Sequence, residues 1–406
     1  MLKSIRWSIW GFALLVFLPV GLIAQGGFVY TNNDTTPNTI SAYAFDSSGA
    51  LSQIVYQANN PEFPTGGQGS NGGIYSSNRI IVVGDFLYAS NSGDNTVSAL
   101  TIDPASGYLT PVPGSPFSTE ALNNPANSGI SLAATPDGQY LYAGSTGYDT
   151  NFNPAPITIF SIDPTTGALT VTNKSTVPAG GPMSSMTVSP DGKYLVATLP
   201  NSSSIAVFAI HGPGTPHEFH NSPYVLNSGA ATSVEFNCAG NLLYAGGTQG
   251  NIYVFNFASG NLTPLTGSPF TTPTSGNNVV ALSTDDSTLF ASDPGNGTVT
   301  AFTVDANGGL TVPGTSAYAA PATSVVPPYP TGLAVTDGGP FVFSADRNST
   351  TSGYAGFSTF NLAGSAPIIF QSMTATVPAT GFHSLAAYPP KACTGAAAPA
   401  HIAPHR

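Results

Sequence analysis

Residues 129–145 read GISLAATPDGQYLYAGS: an apolar segment, a turn and a second apolar segment. Pro136 and Asp137 bring fixed φ and side-chain capping to the turn, and Gly138 supplies positive φ. The second segment recurs along the chain. It appears as FVYTN from Phe28, FLYASN from Phe86, YLVATL from Tyr194, LLYAGG from Leu242, LFASD from Leu289 and FVFSAD from Phe341. Measured between Tyr30, Tyr88, Tyr142, Val196, Tyr244, Phe290 and Phe343, the spacings are 58, 54, 54, 48, 46 and 53 residues. Within each unit the segments alternate apolar with polar or small residues, as in TISAYAFD from Thr39 and NIYVFNF from Asn251. That is the period of a strand, and no helical period competes with it. Seven units, each of four short strands, predict an all-β chain: a seven-bladed β-propeller of four-stranded antiparallel blades.

The chain ends supply an independent test. Phe28 opens the first unit directly at its second segment, so that unit lacks an innermost strand. GFHSLAAYPP from Gly381 aligns with GISLAATPDG from Gly129, which predicts a C-terminal strand completing the N-terminal blade. Closing the ring this way pairs edge groups that would otherwise invite aggregation.

Ahead of the repeats, Lys3 and Arg6 precede an apolar run from Ile9 to Ile23 and the small residues Ala24 and Gly26. This order matches a secretory signal peptide, and the run is shorter than the roughly twenty residues of a membrane span. The expected organisation is a signal peptide over 1–26, a propeller over 27–390 and a disordered Ala/Pro/His tail over 391–406. An uncleaved anchor is the alternative. A secreted or periplasmic protein, monomeric and off the membrane once the signal is cleaved, is expected.

Charge excludes several partners. The chain has a net charge of −11, and 7% of its residues are charged. Arg79, Lys174, Lys193 and Arg347 are the basic residues between the signal and Lys391. Nucleic acid needs several cations on one face, so neither it nor an anionic membrane is an expected partner. Cys238 and Cys393 could pair in an oxidising compartment, but a lone pair makes no framework, and unpaired thiols are the expectation.

Among candidate site residues, Glu235 stands out. Its aligned positions carry Ala133, Thr187, Ala281, Ala334 and Ala386, so a carboxylate there must be solvated, hydrogen-bonded or held with a raised pKa. It reads as a channel-lining general base or as a satisfied channel residue. The loops expected to share one face carry Asp34, Asp94, Asp149, Asp293 and Asp346, with Arg347, Glu62 and Glu120. They suit a polyhydroxylated ligand through hydrogen bonds, although tight turns call for the same residue types. His211, His217 and His220 cluster near blade 4, but His217 and His220 are three apart on an expected strand and point to opposite faces. No metal and no cofactor are expected.

The repeat resembles the seven-bladed lactonase-like (6-phosphogluconolactonase-type) propellers and the YVTN repeat proteins. The motifs are VYTN at Val29, LYASN at Leu87, SPDGKYL at Ser189, the IDPxTGxLT pattern from Ile162 and GSPF at Gly114 and Gly267. The resemblance implies the propeller fold and, in family members acting on sugar-phosphate lactones, an Arg-His or Pro-His pair in the innermost strand. The matching positions here are Thr232 and Ser233, with Ser131, Ser185 and Ser384 in other blades, and His383 stands where the family has Arg. The pair is absent, which argues against phosphogluconolactone hydrolysis. Two functions remain: a propeller binding a carbohydrate-like ligand or a cell-envelope protein at the channel mouth, and a lactonase for an unphosphorylated sugar lactone with Glu235 and His383 as catalytic residues.

Overall fold

The computed structural model describes residues 25–70, 79–119, 129–147, 156–175, 180–273, 276, 279–294, 296–312, 317–319, 329–337, 341–347, 354–361, 369–378 and 384–393. Seven antiparallel sheets form a ring, each with four main strands, which in six of them follow in sequence order from the axis outward. Among the described residues, five blades add a two- or three-residue segment beside the third strand; in blades 2 and 5 it begins at the phenylalanine of the GSPF motif, as Phe117–Ser118 and Phe270–Thr271.

Blade 1 is the exception in sequence order. Its innermost strand is Leu385–Tyr388, paired antiparallel with Gln25–Asn32 in a register that sets Tyr30 against Ala386. The ring therefore closes through the two chain ends, as the alignment of 381–390 with 129–138 requires. Contacts between innermost strands run round the ring from each blade to the next and from blade 7 back to blade 1.

The apolar core is divided among the blade interfaces. Seven buried clusters correspond to seven interfaces, such as that of Tyr88, Leu132, Leu141 and Phe160 between blades 2 and 3. Strand periodicity explains why the LYA segments are apolar throughout: Leu87 faces blade 1 while Tyr88 faces blade 3, so both faces are buried.

The tyrosine of that segment also ties blades together. The hydroxyls of Tyr30, Tyr88 and Tyr142 donate to the carbonyls of Gly107, Gly167 and Gly214 at 3.0, 3.0 and 2.8 Å, each glycine belonging to the next blade. Gly214 sits at φ +72 and a Cβ there would lie 2.5 Å from the Tyr140 ring, so the turn needs glycine for both reasons. Burial pushes the phenols of Tyr30, Tyr88 and Tyr142 far above their ordinary range and keeps them donors.

Candidate functional site

Because the innermost strands run in parallel directions round the axis, they begin at one face, the crown, and end at the other, the base. Loops between second and third strands also lie at the crown, and turns between first and second strands lie at the base.

Register aligns one residue per blade at the start of the innermost strand. Counted two residues ahead of the partner of Tyr30, Tyr88, Tyr142, Val196, Tyr244, Phe290 and Phe343, this ring holds Ser384, Arg79, Ser131, Ser185, Ser233, Val279 and Gly332. Small and hydroxyl residues dominate it, and Arg79 is its one cation.

Arg79 is fully buried, and its Nη1 lies 2.8 Å from Asp34 Oδ2, with both side chains 1% exposed. Asp34 holds left-handed backbone at φ 52, and its carboxylate also accepts from the Ser70 amide at 2.9 Å and the Ser70 hydroxyl at 2.6 Å. The Arg79 amide donates to Ser384 Oγ across the blade 1–2 boundary. Ser233 Oγ does the same for the Val280 amide of blade 6. By contrast, the hydroxyls of Ser131 and Ser185 are fully buried and have no hydrogen-bond partner among the described residues.

The sequence missed Arg79 as a member of this ring for a local reason. In blades 3 to 7 the ring residue lies eleven positions before the reference residue of the second strand, whereas Arg79 lies nine before Tyr88. The blade 2 hairpin closes through Gly84 and Asp85 alone, with Gly84 at φ +57, and carries no Pro-Asp-Gly signal to align on. Pairing the lone arginine with a shortened turn was the available clue.

The other predicted residues fall in separate places. Asp94 is exposed at the crown, accepting from the Gln68 amide and the Thr96 hydroxyl. Asp293 is buried and caps its own turn through Asn296. Glu62 accepts from the Thr39 hydroxyl at 2.7 Å. Asp346 and Arg347 end the second strand of blade 7, where their backbone alone is described. Glu120, Asp149 and His383 lie outside the described residues.

Glu235 occupies the column of Ala133, Thr187, Ala281, Ala334 and Ala386, with Ile81 in blade 2. It sits near the end of its strand, toward the base and away from the Arg79 ring. Its Oε2 accepts from the Leu282 amide at 3.1 Å and its Oε1 lies 3.1 Å from Lys391 Nζ. Cys238 and Cys393, expected as unpaired thiols, form a disulfide with Cα atoms 5.2 Å apart. The reason is topological: closure of blade 1 delivers the chain's last strand to the axis, within five residues of the blade 5 turn.

Residues 116–236 match a family model described as Lactonase, 7-bladed beta-propeller. No curated protein matches the chain. Among solved structures, the Pseudomonas aeruginosa periplasmic gluconolactonase PpgL superposes with a TM-score of 0.67 at 18% identity, covering 90% of this chain and 99% of that one. A candidate 6-phosphogluconolactonase from Bacteroides uniformis gives 0.64 at 18% identity, over 89% and 99%. A protein from Lactobacillus plantarum gives 0.61 at 18% identity, over 89% and 99%. These likenesses carry the fold.

Proposed function

On the premise that this chain is a seven-bladed β-propeller of the lactonase-like family, we propose that it is an exported propeller that binds a neutral, polyhydroxylated, carbohydrate-like ligand at the crown end of its channel. The observation that carries this reading is the pairing of Arg79 with Asp34. The guanidinium is neutralised before any ligand arrives, so the ring offers hydroxyl groups rather than a net positive charge. A phosphorylated sugar would have to displace a buried carboxylate, which leaves two buried anions sharing one cation. A neutral polyol asks for nothing of the kind. The hydroxyls of Ser131 and Ser185 are fully buried and without a partner among the described residues, so such a ligand or its bridging waters would satisfy them once the ring shifts to admit it.

Calorimetric titration of the mature chain with paired neutral and 6-phosphorylated sugars and lactones tests this. Neutral compounds should bind at least tenfold more tightly than their phosphorylated forms. Ser131→Ala and Ser185→Ala should each weaken binding about 3- to 10-fold, on the scale of one hydrogen bond. Tighter binding of the phosphorylated series would sink the reading.

A second reading, hydrolysis of an unphosphorylated sugar lactone, draws on the lactonase description of the matching family. In it Glu235 would serve as general base, and it would first have to exchange its contact with Lys391. Turnover of a neutral aldonolactone that Glu235→Gln abolishes would favour this reading; turnover surviving that substitution would remove Glu235 from it.

A further inference from the structure

Three irregular features of the sequence meet at the base of the channel: a carboxylate in a column of small residues, two lone cysteines and a lysine just past the ring-closing strand. After Tyr388 the chain leaves blade 1, and Lys391 reaches blades 5 and 6, with Nζ 3.1 Å from Glu235 Oε1 and 3.6 Å from Asp286 Oδ1. Two residues later Cys393 is bonded to Cys238, in the turn between the first two strands of blade 5. By the shorter way round the ring, through blades 7 and 6, blade 5 is three blades from blade 1. Five residues extend at most about 17 Å. A segment so short, joining blades on opposite sides, passes over the axis instead of following the wall.

The receiving side is built as a socket. Asp286 Oδ2 accepts from the Cys238 amide at 2.7 Å, which positions the cysteine-bearing turn of blade 5 against the corresponding turn of blade 6. Glu235 is fixed from the other side by the Leu282 amide. The two carboxylates, held toward one place, are joined there by one ammonium group.

We propose that residues 389–393 form a latched plug that shuts the base end of the central channel and leaves the crown as its single entrance, with Glu235, Cys238 and Asp286 as the socket. The latch is set by oxidation. Two thiols lose two electrons and two protons to an exchange partner carrying its own disulfide, which becomes a dithiol as the Cys238–Cys393 bond forms. The inference is independent of what the channel binds.

The test uses the mature chain in four forms: oxidised, reduced in the folded state by a phosphine, Cys238→Ser/Cys393→Ser, and Lys391→Met with the disulfide kept. Peptide mapping without reduction should recover Cys238 and Cys393 in one linked pair. Hydrogen exchange should then quicken about tenfold or more at the Leu282 amide and at Leu385–Tyr388 when the latch is opened, while Leu141–Ala143 of blade 3 keep their rates. Lys391→Met should quicken Leu282 alone. Free thiols in the oxidised chain, or identical exchange at Leu282 and Leu385–Tyr388 with the latch open and closed, would overturn the proposal. Reduction of already folded protein keeps the test valid if the double variant fails to fold.

Discussion

At the crown, Arg79 and Asp34 are each 1% exposed; at the base, Lys391 and Glu235 are 17% and 26% exposed. Both ends thus oppose a carboxylate to a cation, but their surroundings differ. The Asp34 carboxylate accepts two further hydrogen bonds from Ser70 and none of the pair is left to water. At the base, water screens part of the attraction, and a covalent bond two residues away holds the segment in place. The difference teaches that an ion pair's contribution follows from what else satisfies its atoms, and that a half-hydrated pair selects a position that another bond secures.

The sharpest way to break this comparison is to remove one partner at the crown. Arg79→Met leaves Asp34 buried without its cation, a situation that costs about 3–5 kcal/mol. Urea unfolding of the mature chain should show a loss of that size. Adding Asp34→Asn, which tolerates the left-handed backbone and keeps an acceptor for Ser70, should recover more than half, because both charges are then gone. A single variant as stable as the parent would mean that the crown pair is hydrated like the base pair.

Opening the Cys238–Cys393 bond comes next. It closes a loop of sequence separation 155, and native disulfides of this kind contribute about 2–5 kcal/mol. The loss should appear as a lower melting temperature of the reduced chain, whereas Lys391→Met should cost about 1 kcal/mol or less. Equal losses from the two changes would erase the distinction drawn between covalent latch and ionic contact.

How far the sequence carried depended on whether a residue repeats. The ring architecture was legible because each blade restates the same segment, and the terminal closure followed from aligning 381–390 with 129–138. Glu235 was legible as an outlier for the same reason, since its column could be compared across blades. Its partner was not, because Lys391 follows the last repeat and has no counterpart. Arg79 was hidden by a hairpin two residues shorter than the rest. Asp34 and Asp293 illustrate the remaining limit: residue type placed them in crown loops, but a left-handed backbone at Asp34 and an Asn296 cap at Asp293 turn both inward. The disulfide depended on geometry that emerges only when blade 1 closes.

Smaller effects extend the comparison outward from the axis. Tyr142→Phe removes the donor to Gly214 in a buried interface and should cost about 1 kcal/mol. The loss should be independent of pH through the neutral range, because burial keeps that phenol protonated well beyond it. A loss near zero would show that water replaces the tie between blades 3 and 4.

The smallest effect lies at the exposed turn of blade 6, where a carboxylate caps the backbone in the open rather than in the dark of the crown. Asp285 accepts from the hydroxyls of Ser283 and Ser287 and from the Ser287 amide, and the Ser283 hydroxyl chiefly holds its carboxyl below the ordinary carboxylate range. A depressed folded pKa adds stability above the unfolded value, about 3.9, and that stability is lost as pH falls through the lower folded value. Asp285→Asn should therefore be slightly less stable than the parent at pH 7, with the gap closing below about pH 4 as the parent's carboxyl takes up its proton. Thermal unfolding of both proteins across that range measures the gap. If it stayed constant down to pH 2, the cap would act through shape and hydrogen bonding alone, and charge would matter only where the protein excludes water.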